Sequence, residues 1–272
     1  RSTANVHLAP AAVPAGAASA HAARDLQWLN GERARAGVPS GVVLNPRWAQ
    51  ECAAHNAYER ANRVLSNSEN PQATGASPGG AWAGLVSVLA QSRWTSARDP
   101  WQSAPIHLMQ LLTPSLSVIG IDDSGGLQCA TTYPGLLRTP VANDVVTSYP
   151  AAGARDVPPR EIAREAPFVP GQFVGVRAGR PAGRELFVYL NEAGQTGQAQ
   201  VKVLRASLSE AGRPVALRWV DNTTPTVGRY LTGAILIPVA PLRGRTTYRA
   251  SVVVGDRSAT LTHSWSFTTA PG

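Results

Sequence analysis

Two rhythms of apolar and polar positions run along the chain, one helical and one of period two. From His21, Leu26, Leu29 and Ala36 recur at roughly helical spacing with arginines opposite, and Gly37-Val38-Pro39 supplies a stop. Asn45-Pro46 is a cap-plus-proline start, after which Trp48, Cys52, His55, Glu59 and Asn62 share one stripe of a second helix. A stretch rich in Gly, Pro and Ser, LSNSENPQATGASPGGAWAGLVSVLAQ, reads as a loop suited to a mobile pocket rim.

The densest apolar cluster lies in residues 99–123. Asp99 caps a short helix with Pro100 at its first position and Trp101 directed to the core. Pro105 interrupts it, and His107 begins a second helical turn that ends by Thr113-Pro114. Leu116, Val118, Ile119 and Ile121 then read as a strand, and LQCATTY as a closing one. Residues 138–166 are rich in Pro, Ala and Gly and read as a linker. Beyond them ELFVYLN, AQVKVLRASL, PVALRWV, GAILIPV, TYRASVVV and SATLTHSWSFTT are short strands between turn residues, the spacing of a β-sandwich. The fold class expected is therefore α+β, with the helices first.

Composition sharpens this. A chain of 272 residues with 43% hydrophobic content can build two domains. The boundary falls between Leu137 and Pro167, where helical periodicity gives way to alternation. The formal charge of +8 is almost all arginine, Lys202 being the only lysine, and it divides as +1 for residues 1–137 against +7 for 138–272. Such a field suits contact with acidic polymers such as anionic wall glycopolymers, although a genome preferring arginine codons explains the bias equally well. No basic-aromatic interleaving, zinc finger or RNA motif points to nucleic acid.

Cys52 and Cys129 are the only cysteines and lie 77 residues apart, without a Cys-x-x-Cys pair. A disulfide is expected if the protein is exported, two buried thiols otherwise. No apolar run approaches the length of a transmembrane helix. The Ala/Pro-rich residues 1–20 read as the flexible segment that follows a removed signal peptide, from which export is inferred.

Catalytic signatures are missing: Gly-x-Ser-x-Gly, His-Glu-x-x-His, a P-loop and Gly-x-Gly-x-x-Gly are absent. Ser103 and His107 lie four apart, but Pro105 stands between them and no acid is positioned in sequence to orient the imidazole. His55, on a half-apolar helix, reads as a hydrogen-bonded packing residue. His107 reads either as a capping or core histidine or as a polar group in a ligand cleft.

LNGERARAGVP, then VVLNPRWAQECAAHNAYERAN, then a Trp followed six residues later by His107, paired leucines, a proline and an Ile-Gly strand together resemble the bacterial form of the CAP superfamily. That is the family of cysteine-rich secretory, antigen 5 and pathogenesis-related proteins. The resemblance covers about residues 22–133 and implies an α/β/α sandwich over 21–137. VTSYPAAGARDVPP and the closing PLRGRTTYRASVVVGDRSATLTHSWSFTT resemble a bacterial Ig-like module, implying an antiparallel Ig-like β-sandwich over 167–272, its opening strand reaching into 138–166.

Metal-binding members of that family carry two histidines and one or two glutamates. Here Asn67 stands near the first histidine position, Leu85 at a glutamate position and Ala104 at the second glutamate position, so His107 survives with Glu69 as the nearby carboxylate. Zinc requires about four ligands, or three plus water, so neither metal nor cofactor is expected. The resemblance implies an exported, non-catalytic binding protein at the cell surface or wall, its candidate cleft lined by Asn67, Glu69 and His107, taking a small-molecule, lipid or cell-wall polymer ligand. A CAP-type hydrolase using His107 and Glu69, or an adhesive or spacer surface protein, are the alternatives.

Overall fold

The structure, a computed structural model, describes residues 20–92, 94, 99–136, 142–255 and 260–272. Most of the N-terminal segment expected to be flexible lies outside the described residues, as does Leu137 at the expected domain boundary. In chain order the first half runs α1 (Ala20–Arg35), β1 (Val43–Leu44), α2 (Pro46–Asn62), α3 (Pro78–Val86), β2 (Ser87–Ala90), α4 (Pro105–Leu111), β3 (Val118–Ile119), β4 (Ile121–Ser124) and β5 (Leu127–Thr131). β6 (Val145–Tyr149), β7 (Ala154–Val157), β8 (Leu186–Asn191), β9 (Lys202–Glu210), β10 (Arg213–Val215), β11 (Leu217–Val220), β12 (Ala234–Pro238), β13 (Thr247–Gly255) and β14 (Thr260–Thr269) follow. The described residues thus form a mixed α+β fold built largely on antiparallel sheets.

Local signals explain the helix ends. Gly37 sits at φ +72, and Val38 N–H donates to the Arg33 carbonyl, closing α1 with a glycine stop. The Asn45 side chain accepts from the backbone of Arg47 and Trp48 at the start of α2, with Pro46 behind it. The Gly/Pro/Ser-rich stretch read as a loop holds α3 and β2: Ser77 caps α3 by accepting from Gly80 N–H, and Pro78 presets its first turn. Its glycines concealed the helix because their lack of side chains serves packing. A Cβ at Gly84 would lie 2.4 Å from the His55 ring.

β2, β5 and β4 form an antiparallel sheet in the order β2-β5-β4, and β1 pairs in parallel with β3. A disulfide joins Cys52 of α2 to Cys129 of β5, with Cα atoms 5.4 Å apart. It lies in a small apolar cluster with Ala83 and Leu89.

The later strands form a five-stranded sheet, β10-β9-β13-β14-β7, and a four-stranded sheet, β11-β12-β8-β6. Five of the six stretches read as strands hold one strand each, whereas PVALRWV spans two, the end of β10 in the five-stranded sheet and β11 in the four-stranded one. β6 and β7, from the stretch read as linker, belong to the four-stranded and five-stranded sheets respectively.

β8 and β12 read LFVYLN and AILIP, apolar without alternation, because both faces of their sheet are covered. Leu186, Val188, Leu190, Ala234 and Leu236 pack toward Tyr248, Val252, Trp265 and Phe267 of the five-stranded sheet. The intervening Phe187, Tyr189, Ile235 and Ile237 share a core with Leu29, Trp101, Leu108, Met109 and Leu112 of the helical half.

Polar groups cross the same seam. Tyr189 OH donates to the Met109 carbonyl at 2.9 Å, Gln110 Nε2 to the Tyr230 carbonyl at 2.9 Å, and Thr113 Oγ1 to Thr232 Oγ1 at 2.7 Å. Arg184, buried, donates to the Gln102 carbonyl and side chain and to Tyr149 OH, and pairs with Glu161 at 3.2 Å. Arg33, expected on the outer face of α1, is instead 0% exposed. Its guanidinium donates to the carbonyls of Pro39, Leu111, Thr113 and Leu116. Burial lowers its pKa to about 10, which leaves it charged at neutral pH and bound at the C-terminal end of α4.

The disulfide closes a span of 77 residues. Replacing Cys52 and Cys129 together by alanine should cost about 4–5 kcal/mol in the chain-entropy model, read as a lower denaturant midpoint. A double variant that unfolds at the wild-type midpoint would show that the bridge adds no stability.

Candidate functional site

α4 begins without a side-chain cap of its own, because Ala104 stands at the N-cap and Pro105 at the first helical position. The carboxylate of Glu165 supplies the missing acceptor from 59 residues away, taking the Ile106 N–H at 3.0 Å. His107 N–H also reaches it, at 3.4 Å. A carboxylate at this end of a helix meets unpaired N–H groups and the positive end of the peptide dipoles.

The Oε2 of Glu165 also accepts from His107 Nδ1 at 2.8 Å. Glu165 is 1% exposed and His107 19%. Trp101 lies beside the imidazole, ring centroids 6.0 Å apart, and Arg164 N–H donates to the Ser103 carbonyl, fixing the segment that delivers Glu165. With Nδ1–H given to the carboxylate, the neutral ring keeps its lone pair on Nε2. The pair can accept a proton or a hydrogen bond from a ligand there. Among the described residues no hydroxyl or thiol is hydrogen-bonded to His107.

Asn67 and Glu69 do other work. The Asn67 amide donates to the carbonyls of Gly84 at 2.8 Å and Ser87 at 3.1 Å, tying the end of α3 to β2. Glu69 accepts from Ser77 N–H at 2.8 Å and from His55 Nδ1 at 3.0 Å. Gly80 permits this approach, since a Cβ there would stand 2.4 Å from Glu69 Oε1. Among the described residues no hydrogen bond or ion pair joins His107 to either residue. Leu85 is 66% exposed and Ala104 is buried. No group of three or more His, Cys, Asp or Glu among the described residues is placed to hold a metal ion.

His55 is a buried packing residue whose charge can be argued from geometry. Its Nδ1 faces Glu69, and its Nε2 faces the Ser66 carbonyl at 3.0 Å and Glu59 Oε1 at 3.6 Å. Both nitrogens meet acceptors, so only the doubly protonated ring satisfies both. Burial opposes that charge, but the hydrogen bonds and charges of Glu59 and Glu69 outweigh it and raise the pKa above the ordinary imidazole value.

Glu165 could not have been found from sequence. It lies in REAPF, in the stretch read as linker, and nothing in its spacing refers to α4. Ala104-Pro105 offered the one indirect sign, a helix start lacking a capping side chain.

Compared with known families and curated proteins, the chain finds no significant match: no family model fits it and no curated protein does. Among the described residues no helix is long and apolar enough to cross a membrane.

Two histidines should titrate on opposite sides of free imidazole. His55 is raised, whereas His263, beside Ser148 Oγ at 3.1 Å, is lowered by burial. The stability contributed by the His55 charge should be fully present below the unfolded value of about 6.5 and lost as pH rises through the higher folded value. Ring-proton NMR titration checks the order, and the melting temperature of His55→Gln should converge toward wild type as pH rises. A His55 midpoint below that of His263 would refute the assignment.

Proposed function

We propose that this protein is an exported, non-catalytic binding protein of CAP type, followed by an Ig-like module that holds it at the cell surface or wall. The observation that carries the reading is the use made of the positions where metal-binding members of the resembled family hold their ligands. Asn67 bonds two backbone carbonyls, Leu85 turns to solvent, Ala104 has no ligating atom, and His107 is committed through Nδ1 to Glu165. The order of helices and strands over α1–β5 and the packing of the two later sheets are consistent with these family resemblances. The Cys52–Cys129 bridge suits an oxidising compartment.

A second reading draws on the His107–Glu165 pair. A carboxylate that orients an imidazole with a partly exposed edge is one half of a hydrolytic relay. It lacks a hydroxyl or thiol bonded to the ring. Glu69, the carboxylate expected to act with His107, is engaged by His55 and the start of α3. The binding reading therefore stands first.

Titration calorimetry with zinc separates metal binding from its absence. The full chain should take up zinc no tighter than about millimolar, as a site of one or two ligands leaves most coordination to water. Micromolar affinity abolished by His107→Ala would overturn the non-catalytic reading. So would hydrolysis of ester or peptide substrates that falls at least about a hundredfold in both His107→Gln and Glu165→Gln.

A further inference from the structure

The five-stranded sheet has one buried face and one open face, and the open face has a composition of its own. Tyr248, Ala250, Val252, Trp265 and Phe267 point into the core. The residues between them on β13 and β14, and their partners on β9, are exposed or half-buried. The register arranges them in rows across three strands: Arg205, Val253 and Thr262; Ser207, Ser251 and Ser264; Ser209, Arg249 and Ser266. Thr247 and Thr268 make a further row. Neighbouring hydroxyls hold one another, Ser264 Oγ donating to Ser251 Oγ at 2.8 Å and Thr247 lying 2.9 Å from Thr268. These rows contain hydroxyls, arginines and one valine, without an acid or an aromatic ring.

At one end the face deepens into an open concavity of about 790 Å³ lined by Ser209, Thr247, Arg249 and Ser266, with Arg245 on its rim. Arg245 is held at φ +52, and its N–H donates to the Ala270 carbonyl. Glu210, the acid of this groove, is already paired with Arg243 at 3.1 Å. Among the described residues neither Arg245 nor Arg249 has an ion-pair partner.

We propose that this open face and its groove bind an anionic, hydroxyl-rich polymer, a chain carrying repeated phosphodiester or carboxylate groups with hydroxyls between them. Arg205 and Arg249 stand two rows apart, about 13 Å along the strands. That exceeds the screening length of about 8 Å at physiological salt, so each guanidinium needs its own anion and a ligand must repeat its charge to use both. The serine and threonine rows supply donors and acceptors to the hydroxyls between. Without aromatic rings the face cannot stack bases or sugar faces, which disfavours single-stranded nucleic acid and neutral glycans. The inference gives the binding reading a ligand class but does not use the His107 site, so zinc uptake or turnover at His107 leaves it standing.

The test uses the full chain on immobilised poly(glycerol phosphate), polygalacturonate, dextran and duplex DNA. Binding to at least one of the two acidic polymers is expected, weakening as salt rises from about 50 to about 200 mM; the stronger of the two distinguishes phosphate from carboxylate. Replacing Arg205, Arg245 and Arg249 together by glutamine should weaken binding about tenfold. The same substitution at Arg47, Arg63 and Arg177, equal in charge but elsewhere, should change it less than about twofold. Arg249→Glu alone provides a second variant, and unchanged thermal melts exclude unfolding. Equal losses in the two triple variants would reduce the effect to net charge and overturn the proposal. Binding to dextran or DNA as tight as to the acidic polymers, or no binding to either acidic polymer, would also overturn it.

Discussion

The four-stranded sheet is covered on both faces, and most of the remaining architecture depends on that burial. Consecutive residues of β8 and β12 leave water in opposite directions, one set toward the five-stranded sheet and the other toward the helices. Full burial of a large apolar side chain contributes about 1.5–3 kcal/mol, so either face alone is a substantial core. Because the two faces share a backbone, a change that tilts β8 disturbs both. The crossing hydrogen bonds from Tyr189, Gln110 and Thr113 fix how α4 lies on this sheet, since a buried donor without its acceptor costs about 1–3 kcal/mol.

Buried charge is distributed by the same logic. Arg33 is surrounded by carbonyls around the end of α4, Arg184 by Gln102, Tyr149 and Glu161, and His55 by two carboxylates and a carbonyl. Arg33 and Arg184 link segments distant in sequence, His55 ties α2 to the loop that follows it, and each would be costly to bury without its partners. Glu165 belongs with them: it completes the first turn of α4 and orients His107. The positions expected to form one cleft therefore serve two separate constructions, Asn67 and Glu69 around α3, His107 at the start of α4.

This division bears on function. Among the described residues, His107 and Glu165 present an oriented imidazole edge with no hydroxyl or thiol hydrogen-bonded to it. Part of the basic excess of residues 138–272 lies on the five-stranded sheet, where Arg205 and Arg249, without ion-pair partners among the described residues, stand among rows of hydroxyls.

The sequence by itself determined the elements whose signals are local. Cap-and-proline starts marked α2 and the turn before α4, glycine marked the end of α1, and alternation or apolar runs marked the later strands. The Cys52–Cys129 pairing was legible because no other cysteine competes. α3 was hidden because Gly80 and Gly84 weaken a helical pattern locally while making room for Glu69 and His55. What only the tertiary structure decided was which polar groups meet: Glu165 with His107, Arg33 with the end of α4, His55 with Glu69. The first two pairs are set by packing between segments far apart in the chain, and His55 meets Glu69 where the chain 14 residues on folds back against α2. An uncapped helix start reports that a partner is needed, but which carboxylate supplies it depends on how the later chain packs against the helices.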